Sequence, residues 1–370
     1  AWCGRDLSAS LAGVVAEEMA RAGAVGPAEG VGMTLAAPTL LAHGSEDLKR
    51  RYIRPTFTGE TSWCQLFSEP GAGSDLAGLT TRAERDGDTW VVTGQKVWNT
   101  SAHHADVGLL LARTDRDVPK HRGLTYFVLP MHQPGVEVRP LRQMNGHASF
   151  NEVFLDSARV PADHVVGEVG GGWTVALTTL AHERRLAATR RGTAATGPGR
   201  VHREAAEESA IAYAPYTWYP QRAGRVDLVV ERARATGRDA DPLVRQEIAR
   251  LFELALSARW TARRAAVARA TGRPPGPEGS LGKLASSNIA RAASRVHSLI
   301  AGRDGMLAGS DDPTGGTVSE IFLSVPAVSI AGGTDEIQHN ILAERILGLP
   351  KEPDISRDVA FRDIPQEDPR

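Results

Sequence analysis

A glycine-containing loop is the first segment of the sequence whose residue types could do chemistry. It reads Ser68-Glu69-Pro70-Gly71-Ala72-Gly73-Ser74-Asp75 and directly follows the apolar segment Trp63–Phe67. Two glycines two positions apart let the backbone approach a ligand closely and present successive N–H groups to an anion or a polar ring. By itself the pattern is more typical of a plain loop between strands. It lacks the spacing and the following helix of a dinucleotide-binding βαβ unit, so it does not indicate a nicotinamide cofactor.

A second segment, Gly94-Gln95-Lys96-Val97-Trp98-Asn99-Thr100, ends the hairpin that follows this loop. A Trp at a strand end is more often part of a core than a ligand contact, and alone it would be interpreted that way. The two segments together, at this spacing, are more specific than either one.

The period at which apolar residues recur divides the chain into three zones. These zones must position the two segments. From about Leu7 to Pro55 apolar residues recur at helical spacing. From about Thr61 to Val166 short strand-like runs alternate with Pro or Gly, and Asp86-Gly87-Asp88 is a hairpin-turn signal. From Gly170 onward the helical period returns. Strands are predicted at 80–84, 89–93, 107–112, 124–129, 136–140 and 151–155, and helices at 173–190, 241–270, 282–300 and 335–347.

This order predicts an α+β multidomain fold with a β domain between two helical layers. The predicted domains are an N-terminal helical domain at 1–60, a middle β domain at 61–168, a C-terminal helical region at 169–350 and a polar tail at 351–370. The proline-rich tail is expected to be extended or disordered. Asp335 is the predicted cap of the last helix. The chain starts at Ala1 rather than at Met, so an upstream segment is expected to be missing.

Composition excludes several classes of function. The 370 residues carry 43 Lys+Arg against 44 Asp+Glu, a balance that does not favour nucleic acid or an anionic membrane as a partner. The two cysteines form no disulfide framework, and no cysteine or histidine spacing indicates a metal site. We expect no apolar run of membrane-spanning length, and no signal peptide is recognised at the start of the chain. The expected location is therefore the cytoplasm.

At this point the sequence resembles the acyl-CoA dehydrogenase family. The matching segments occur in family order and spread over most of the chain: Trp63–Asp75, Thr93–Thr100, Val136–Arg142, Phe150–Asp156 and Gly332–Gln338. The resemblance implies an N-terminal helical domain, a central β-barrel-like domain and a C-terminal four-helix bundle. It also implies an FAD between the β domain and the bundle, an acyl-CoA substrate, and electron-transferring flavoprotein as oxidant.

The resemblance carries a set of site residues with it. Phe67 and Ser68 are expected to meet the isoalloxazine edge, and Trp98 and Thr100 to pack against the flavin. Ser74 is expected to contact the cofactor or the thioester region of the substrate. An aromatic wall and backbone donors suit a flavin that accepts hydride. The full set of implied FAD-binding residues is Leu66, Phe67, Ser68, Gly73, Ser74, Trp98, Thr100, Thr334 and Glu336.

The family reaction needs a carboxylate that takes an α-proton. Many members carry a Glu directly before the C-terminal Gly-Thr, where this chain has Gly332. A minority branch, which includes isovaleryl- and long-chain-type enzymes, has the base on an earlier helix before an Arg, and here that place is Glu183-Arg184. On a helix Glu183 lies among apolar residues, which desolvates a carboxylate and strengthens it as a base. The alternative is a solvated Glu in the charged cluster 182–185. By resemblance, the Gly332 N–H binds the thioester carbonyl oxygen, and Arg184 and Ser74 bind substrate.

The chain departs from the family pattern in the segments through which one subunit contacts the FAD of its neighbour. Typical members contribute an Arg-x-x-Phe-Gly and a Gln-x-x-Gly-Gly stretch from a neighbouring subunit to the FAD. The region before Asp241 has no such Arg-Phe pair, and Leu299–Gly305 only partly resembles the second stretch. A homo-oligomer or a hetero-oligomer with a related subunit that shares the FAD site is therefore expected. Two rivals stay open: a non-catalytic partner subunit, and a flavin oxidase or monooxygenase on the same fold.

Overall fold

The computed structural model describes most of the chain. The described residues are 4, 7–8, 11–24, 30–187, 198–200, 202–204, 206–207, 219–273, 276–307, 312–313, 315–353 and 356–365. The aromatic residues between positions 213 and 218 lie outside the described residues, and so does the side chain of Arg184.

Three short helices form the N-terminal layer. They are α1 (Ala12–Arg21), α2 (Ala37–His43) and α3 (Glu46–Thr58), and a π-helical turn, Gly32–Ala36, leads into α2. Ser45 caps α3, because its hydroxyl accepts from the Leu48 N–H at 3.2 Å. Gly59, with φ of 82°, ends the helix in the left-handed conformation that glycine adopts without strain. The inner faces of α2 and α3 pack on the middle domain.

A curled seven-stranded sheet forms the middle of the molecule. Its order is β1-β4-β2-β3-β7-β6, and β5 pairs with β4. The predicted hairpin is confirmed, with Gly87 at φ of 57° between β2 and β3. One face of β4 and β5 packs against the helices and the other fills the β-domain core. The strands are β1 (Trp63–Leu66), β2 (Arg82–Asp86), β3 (Thr89–Thr100), β4 (Val107–Arg113), β5 (Leu124–Pro130), β6 (Val136–Leu141) and β7 (Phe150–Pro161).

Helices return after the sheet and pack around one central helix, α8. Its buried face consists largely of small residues, such as Ser287, Ala290 and Ala293, which let its neighbours approach closely. The C-terminal elements are α4 (Gly172–Ala187), α5 (Tyr219–Arg222), α6 (Val229–Ala235), α7 (Pro242–Ala270), α8 (Glu278–Ala301), α9 (Thr317–Ser324), α10 (Pro326–Ile330) and α11 (Asp335–Arg345).

The cap of α11 differs from the sequence prediction. Thr334, not Asp335, is the N-cap, and its hydroxyl accepts from the Ile337 N–H at 3.2 Å. Asp335 is instead turned towards α8, where its carboxylate lies 2.7 Å from Lys283 Nζ and 2.9 Å from Arg291 Nη1. Asp335, which the local pattern predicted as the cap of α11, therefore forms a long-range ion pair instead.

The segment Thr317–Arg345 corrects the expectation that no apolar run reaches membrane-spanning length. By length and composition alone it qualifies as a candidate span. In the structure it is divided into α9, α10 and α11, and Gly332 and Gly333 between the last two have φ of 69° and 84°. These residues therefore form a broken helical layer that borders the cleft described below, rather than one straight span.

Candidate active site

A cleft of about 2300 Å³ lies where the N-terminal helices, the sheet and the C-terminal helices meet. Most of the residues that the sequence singled out line it, although they come from distant parts of the chain. Those residues are Phe67, Ser68, Gly73, Ser74, Trp98, Thr100, Glu183, Gly332 and Thr334.

The glycine loop and the end of β3 meet directly at the cleft. The Val97 N–H donates to the Ser68 carbonyl oxygen at 2.9 Å, so the two segments lie side by side. The register of β3 against β7 slips between Lys96 and Asn99. At this bulge Trp98 takes φ of 64° and its side chain is 56% exposed. A bulge re-aims side chains, and here it turns a large aromatic ring into the cleft instead of the core.

The buried carboxylate of Glu69 fixes the position of the glycine loop. Its oxygens accept from the backbone N–H groups of Thr80, at 2.7 Å, and Thr81, at 2.9 Å. Burial alone would raise the pKa of Glu69, but the Lys96 ammonium and these hydrogen bonds outweigh it and lower the pKa to about 2. The carboxylate is therefore charged at neutral pH and fixes the loop backbone beneath the cleft.

Glu183 faces the cleft from α4 and meets residues of two other elements. Its Oε2 accepts from the Gln65 side-chain amide at 3.4 Å. Its Oε1 lies 3.7 Å from the position that a Cβ would occupy on Gly332. The carboxylate thus stands between the end of β1 and the turn before α11, as a group that acts on a substrate in the cleft must.

A buried hydroxyl network supports α4 one turn before Glu183. The Thr179 hydroxyl lies 3.0 Å from the Tyr126 hydroxyl and 2.9 Å from that of Thr39. Burial raises the pKa of Tyr126, and the negative charge of Glu183 raises it further. Tyr126 therefore stays protonated, and the network joins α4 to both β5 and α2 at this turn.

Two residues of the implied site set, Leu66 and Glu336, do not line the cleft, and a third, Arg184, has no described side chain. The Leu66 side chain is fully buried in the β-domain core and does not line the cleft, because successive side chains of a strand point to opposite faces. Its neighbour Gln65 takes the cleft side instead. Glu336 is exposed and also lies outside the lining, and a hydrogen bond from its own backbone N–H lowers its pKa. Arg184 has no described side chain, so its implied substrate contact stays a prediction.

Sequence reasoning missed Gln65, Asn99 and Gln338, which all line the cleft. The signal for Gln65 was a polar residue inside an otherwise apolar strand. The side-chain oxygens Oδ1 of Asn99 and Oε1 of Gln338 are buried and accept no hydrogen bond from the described residues. Buried acceptors in this position suit a ligand rich in hydroxyl and N–H donors. With the exposed Trp98 ring, the lining therefore fits a flavin nucleotide.

Three family profiles match the chain in order. "Acyl-CoA dehydrogenase, N-terminal domain" matches residues 1–60, the middle-domain profile matches 64–158 and the C-terminal-domain profile matches 221–347. The chain belongs to the acyl-CoA dehydrogenase family. Members are flavoprotein oxidoreductases that act on CH–CH groups, and their cofactor is FAD. The described residues contain no group of three or more His, Cys, Asp or Glu that could hold a metal ion.

The sequence of this acyl-CoA dehydrogenase is similar to those of actinobacterial family members. It is 38% identical to the acyl-CoA dehydrogenase IpdE1 of Mycobacterium tuberculosis over 94% of this chain and 83% of that protein. It is 40% identical to the acyl-CoA dehydrogenase FadE34 of the same organism over 85% of this chain, but it spans only 39% of that longer protein.

Solved structures of the family share the same arrangement. A variant of a steroid ACAD described as Tcur3481-Tcur3483 superposes with a TM-score of 0.73 at 28% identity, over 95% of this chain and 85% of that one. The ChsE4-ChsE5 complex of Mycobacterium tuberculosis superposes with a TM-score of 0.71 at 27% identity, over 95% of this chain and 84% of that one.

Proposed function

We propose that this protein catalyses the FAD-dependent α,β-dehydrogenation of an acyl-CoA thioester, with Glu183 as the base. The observation that carries the proposal is the position of the Glu183 carboxylate. It faces Gly332, at 3.7 Å from the Cβ position there, in the cleft that Trp98 and Ser68 also line. Family members with a Glu at the Gly332 position would reach the same point in space from the other side.

Different residues would carry out the separate steps of the proposed dehydrogenation. Glu183 removes the α-proton, and the Gly332 N–H donates to the thioester carbonyl oxygen as negative charge develops there. Phe67 and Leu180 border the same space and exclude water from it. When bound, FAD supplies the acceptor for the β-hydride. Trp98, Thr100 and the glycine loop would hold the cofactor against the sheet, and electron-transferring flavoprotein would reoxidise it.

The substrate we propose is a bulky acyl-CoA derived from a steroid. Its support is the description of a structural neighbour as a steroid ACAD. Ser74 lies at the glycine loop on the border of the cleft, where it would contact the thioester region. Arg184 follows the base directly and would bind the polar part of the substrate. A panel of straight, branched and steroid-side-chain acyl-CoA thioesters, each tested for anaerobic flavin bleaching, separates these classes.

The test of the base is Glu183→Gln, which keeps size and hydrogen-bonding capacity but removes the proton acceptor. Anaerobic flavin reduction should slow by roughly two to four orders of magnitude, the usual contribution of a positioned general base. FAD content and thermal stability should change little. Reduction at the wild-type rate would show that Glu183 is not the base.

A second candidate function is that of one subunit in a heteromeric dehydrogenase with a shared FAD site. Two observations favour it: the two structural neighbours are described as pairs of differently named chains, and this chain lacks the Arg-x-x-Phe-Gly stretch. Co-expression with a related subunit tests it. The pair should copurify with FAD while the single chain binds it weakly. A single chain that is a stable homo-oligomer with full FAD would exclude this candidate.

A further inference from the structure

Gln65 links strand β1 to α4, the helix that carries the proposed base, through a side-chain hydrogen bond. It is the third residue of β1, and its amide Nε2 donates to Glu183 Oε2 at 3.4 Å. It lines the cleft and is half-buried, so its side chain is neither core packing nor free surface. The bond joins residues 118 positions apart in sequence, on a strand and a helix that also share a hydrophobic core.

The backbone of Gln65 is fixed independently of its side chain. β1 pairs in parallel with β4, where Gln65 is in register with Leu109. The Gln65 carbonyl oxygen accepts from the Asn99 side-chain amide at 2.7 Å. Asn99 follows Trp98 at the bulge, and its own carbonyl oxygen accepts from Asn151 Nδ2 at 2.9 Å. A chain of amide hydrogen bonds therefore runs from β7 through β3 to β1, and the Gln65 side chain extends it to Glu183.

This arrangement gives the amide a defined role. A carboxylate on a helix can rotate about its side-chain bonds, and a base acts well only when its oxygen is held within hydrogen-bond reach of the proton. The Gln65 N–H occupies one carboxylate oxygen, Oε2. The other, Oε1, is the one that faces Gly332. Tyr126 on the sheet interacts electrostatically with Glu183, and burial keeps the Tyr126 hydroxyl neutral.

We propose that Gln65 is a positioning residue that holds Glu183 with Oε1 directed at the substrate α-carbon and fixes this base relative to the flavin wall. The inference rests on the proposed function, because it assumes that Glu183 is the base. Gln65 itself transfers no proton. Its effect should therefore be on how fast the α-proton is removed, and not on whether cofactor or substrate binds.

The experiment uses Gln65→Met, which keeps length and removes the side-chain amide with its N–H donors and its carbonyl acceptor, and Gln65→Leu as a second variant. The matched control is Gln95→Met. Gln95 Nε2 donates to Glu152 Oε1 at 3.1 Å, also a Gln–Glu pair, but neither residue lines the cleft. The protein is the FAD-loaded enzyme, with its partner subunit if one is required. The probe is the acyl-CoA that bleaches the wild type.

Two readouts separate positioning from structure. The first is deuterium incorporation at the α-carbon in D₂O with the flavin already reduced, which reports the base alone. It should slow roughly 10- to 100-fold in Gln65→Met, the effect of a misplaced catalytic group, with FAD content and substrate Kd unchanged. The second is the pH profile, whose acid limb should move to higher pH, because the charged carboxylate loses a hydrogen-bond donor. Gln95→Met should match the wild type in both.

Different results would disprove the role of Glu183 as the base and the role of Gln65 as a positioning residue. If Glu183→Gln exchanges the α-proton normally, the assignment of the base is wrong. If Glu183→Gln is inactive but Gln65→Met exchanges as fast as Gln95→Met, only the role of Gln65 is overturned. A Gln65→Met protein that loses FAD or weakens substrate binding while its exchange rate at saturation is unchanged would also overturn it, because the amide would then be a ligand contact.

Discussion

The Lys96 ammonium group lies 2.9 Å from Glu69 Oε1 and 3.0 Å from the Phe67 carbonyl oxygen, and both charged side chains are buried. Lys96 is on β3 two residues before Trp98, and Glu69 is the second residue of the glycine loop. One cation therefore joins the strand that carries the aromatic wall to the loop that presents backbone donors. A buried ion pair adds little net stability, so we infer that this pair serves mainly to fix the position of the loop.

Replacement of Lys96 by Met should destabilise the protein strongly, because it leaves the Glu69 carboxylate buried without its partner. The free energy of unfolding should fall by about 3–5 kcal/mol, and FAD content should fall with it. Urea unfolding and the flavin absorbance of the purified variant measure the two effects. Lys351→Met is the control, since the Lys351 side chain is exposed, pairs with Glu344 at 3.5 Å and should cost about 1 kcal/mol or less. Equal losses in the two variants would contradict the proposed role of the buried pair.

Acid should weaken the same region in a defined pH range. The folded pKa of Glu69, about 2, lies below its usual value of 4.5. The stabilising contribution is therefore fully present above about pH 4.5 and is lost as the pH falls towards 2. Glu69→Gln should lower stability at neutral pH but flatten its dependence on pH between these values. Urea midpoints from about pH 6 to about pH 2 measure this, a range that spans both pKa values. A slope as steep as in Glu84→Gln, a surface control, would exclude Glu69 as the source.

The two glycines before α11 should respond differently to alanine. Both have positive φ, which costs a residue with a side chain roughly 1–2 kcal/mol. Among the described residues, a Cβ on Gly332 would meet only Glu183 Oε1, at an ordinary contact distance of 3.7 Å. A Cβ on Gly333 would lie 2.7 Å from Gln338 Nε2, which donates to the Gly332 carbonyl oxygen. Thermal unfolding should therefore show the larger loss for Gly333→Ala. Equal losses would mean that Gln338 moves aside freely.

The sequence predicted those features of the site that depend on local pattern. The glycine loop, the Asp86-Gly87-Asp88 turn and the strand end at Trp98 each depend on a few neighbouring residues, and the structure brings the loop and the strand end together. The hydrophobic period predicted the helical–β–helical order of the domains, and the resemblance added the expected family architecture. The boundaries at 60, 168 and 350 and the role of each site residue stay predictions.

The features that local pattern could not supply come from contacts between distant segments. Strand alternation decides that Gln65 and not Leu66 faces the cleft, but the partner of Gln65 is a residue on a helix far along the chain. Asp335 has the type and position of a cap, yet an ion pair to Lys283 on α8 determines its direction. In each case the competing interaction becomes visible only when the elements are packed.

The C-terminal tail shows the same principle and leads to a final prediction. Its described residues, 351–353 and 356–365, are not simply extended, because Phe361–Asp363 form a 3-10 helix, and they are held in place: the Phe361 N–H donates to the Val118 carbonyl oxygen at 2.9 Å. The Phe361 ring is buried, and its centroid lies 3.4 Å from the guanidinium carbon of Arg113. Arg113 in turn donates to carbonyl oxygens of the loops that flank β2 and β4, at Leu79, Ala77 and Lys120.

Phe361→Ala should therefore lower the free energy of unfolding by about 3 kcal/mol, the lower end of the range for a buried Phe, because a chain end can detach without unfolding the rest. Hydrogen exchange should accelerate in the loop 114–123 that receives the tail, and should stay slow in α8. Val359→Ala, a change at an exposed position of the same tail, should alter stability by only about 0.5 kcal/mol or less. If both variants leave exchange in the loop at the wild-type rate, the tail does not hold this part of the β domain.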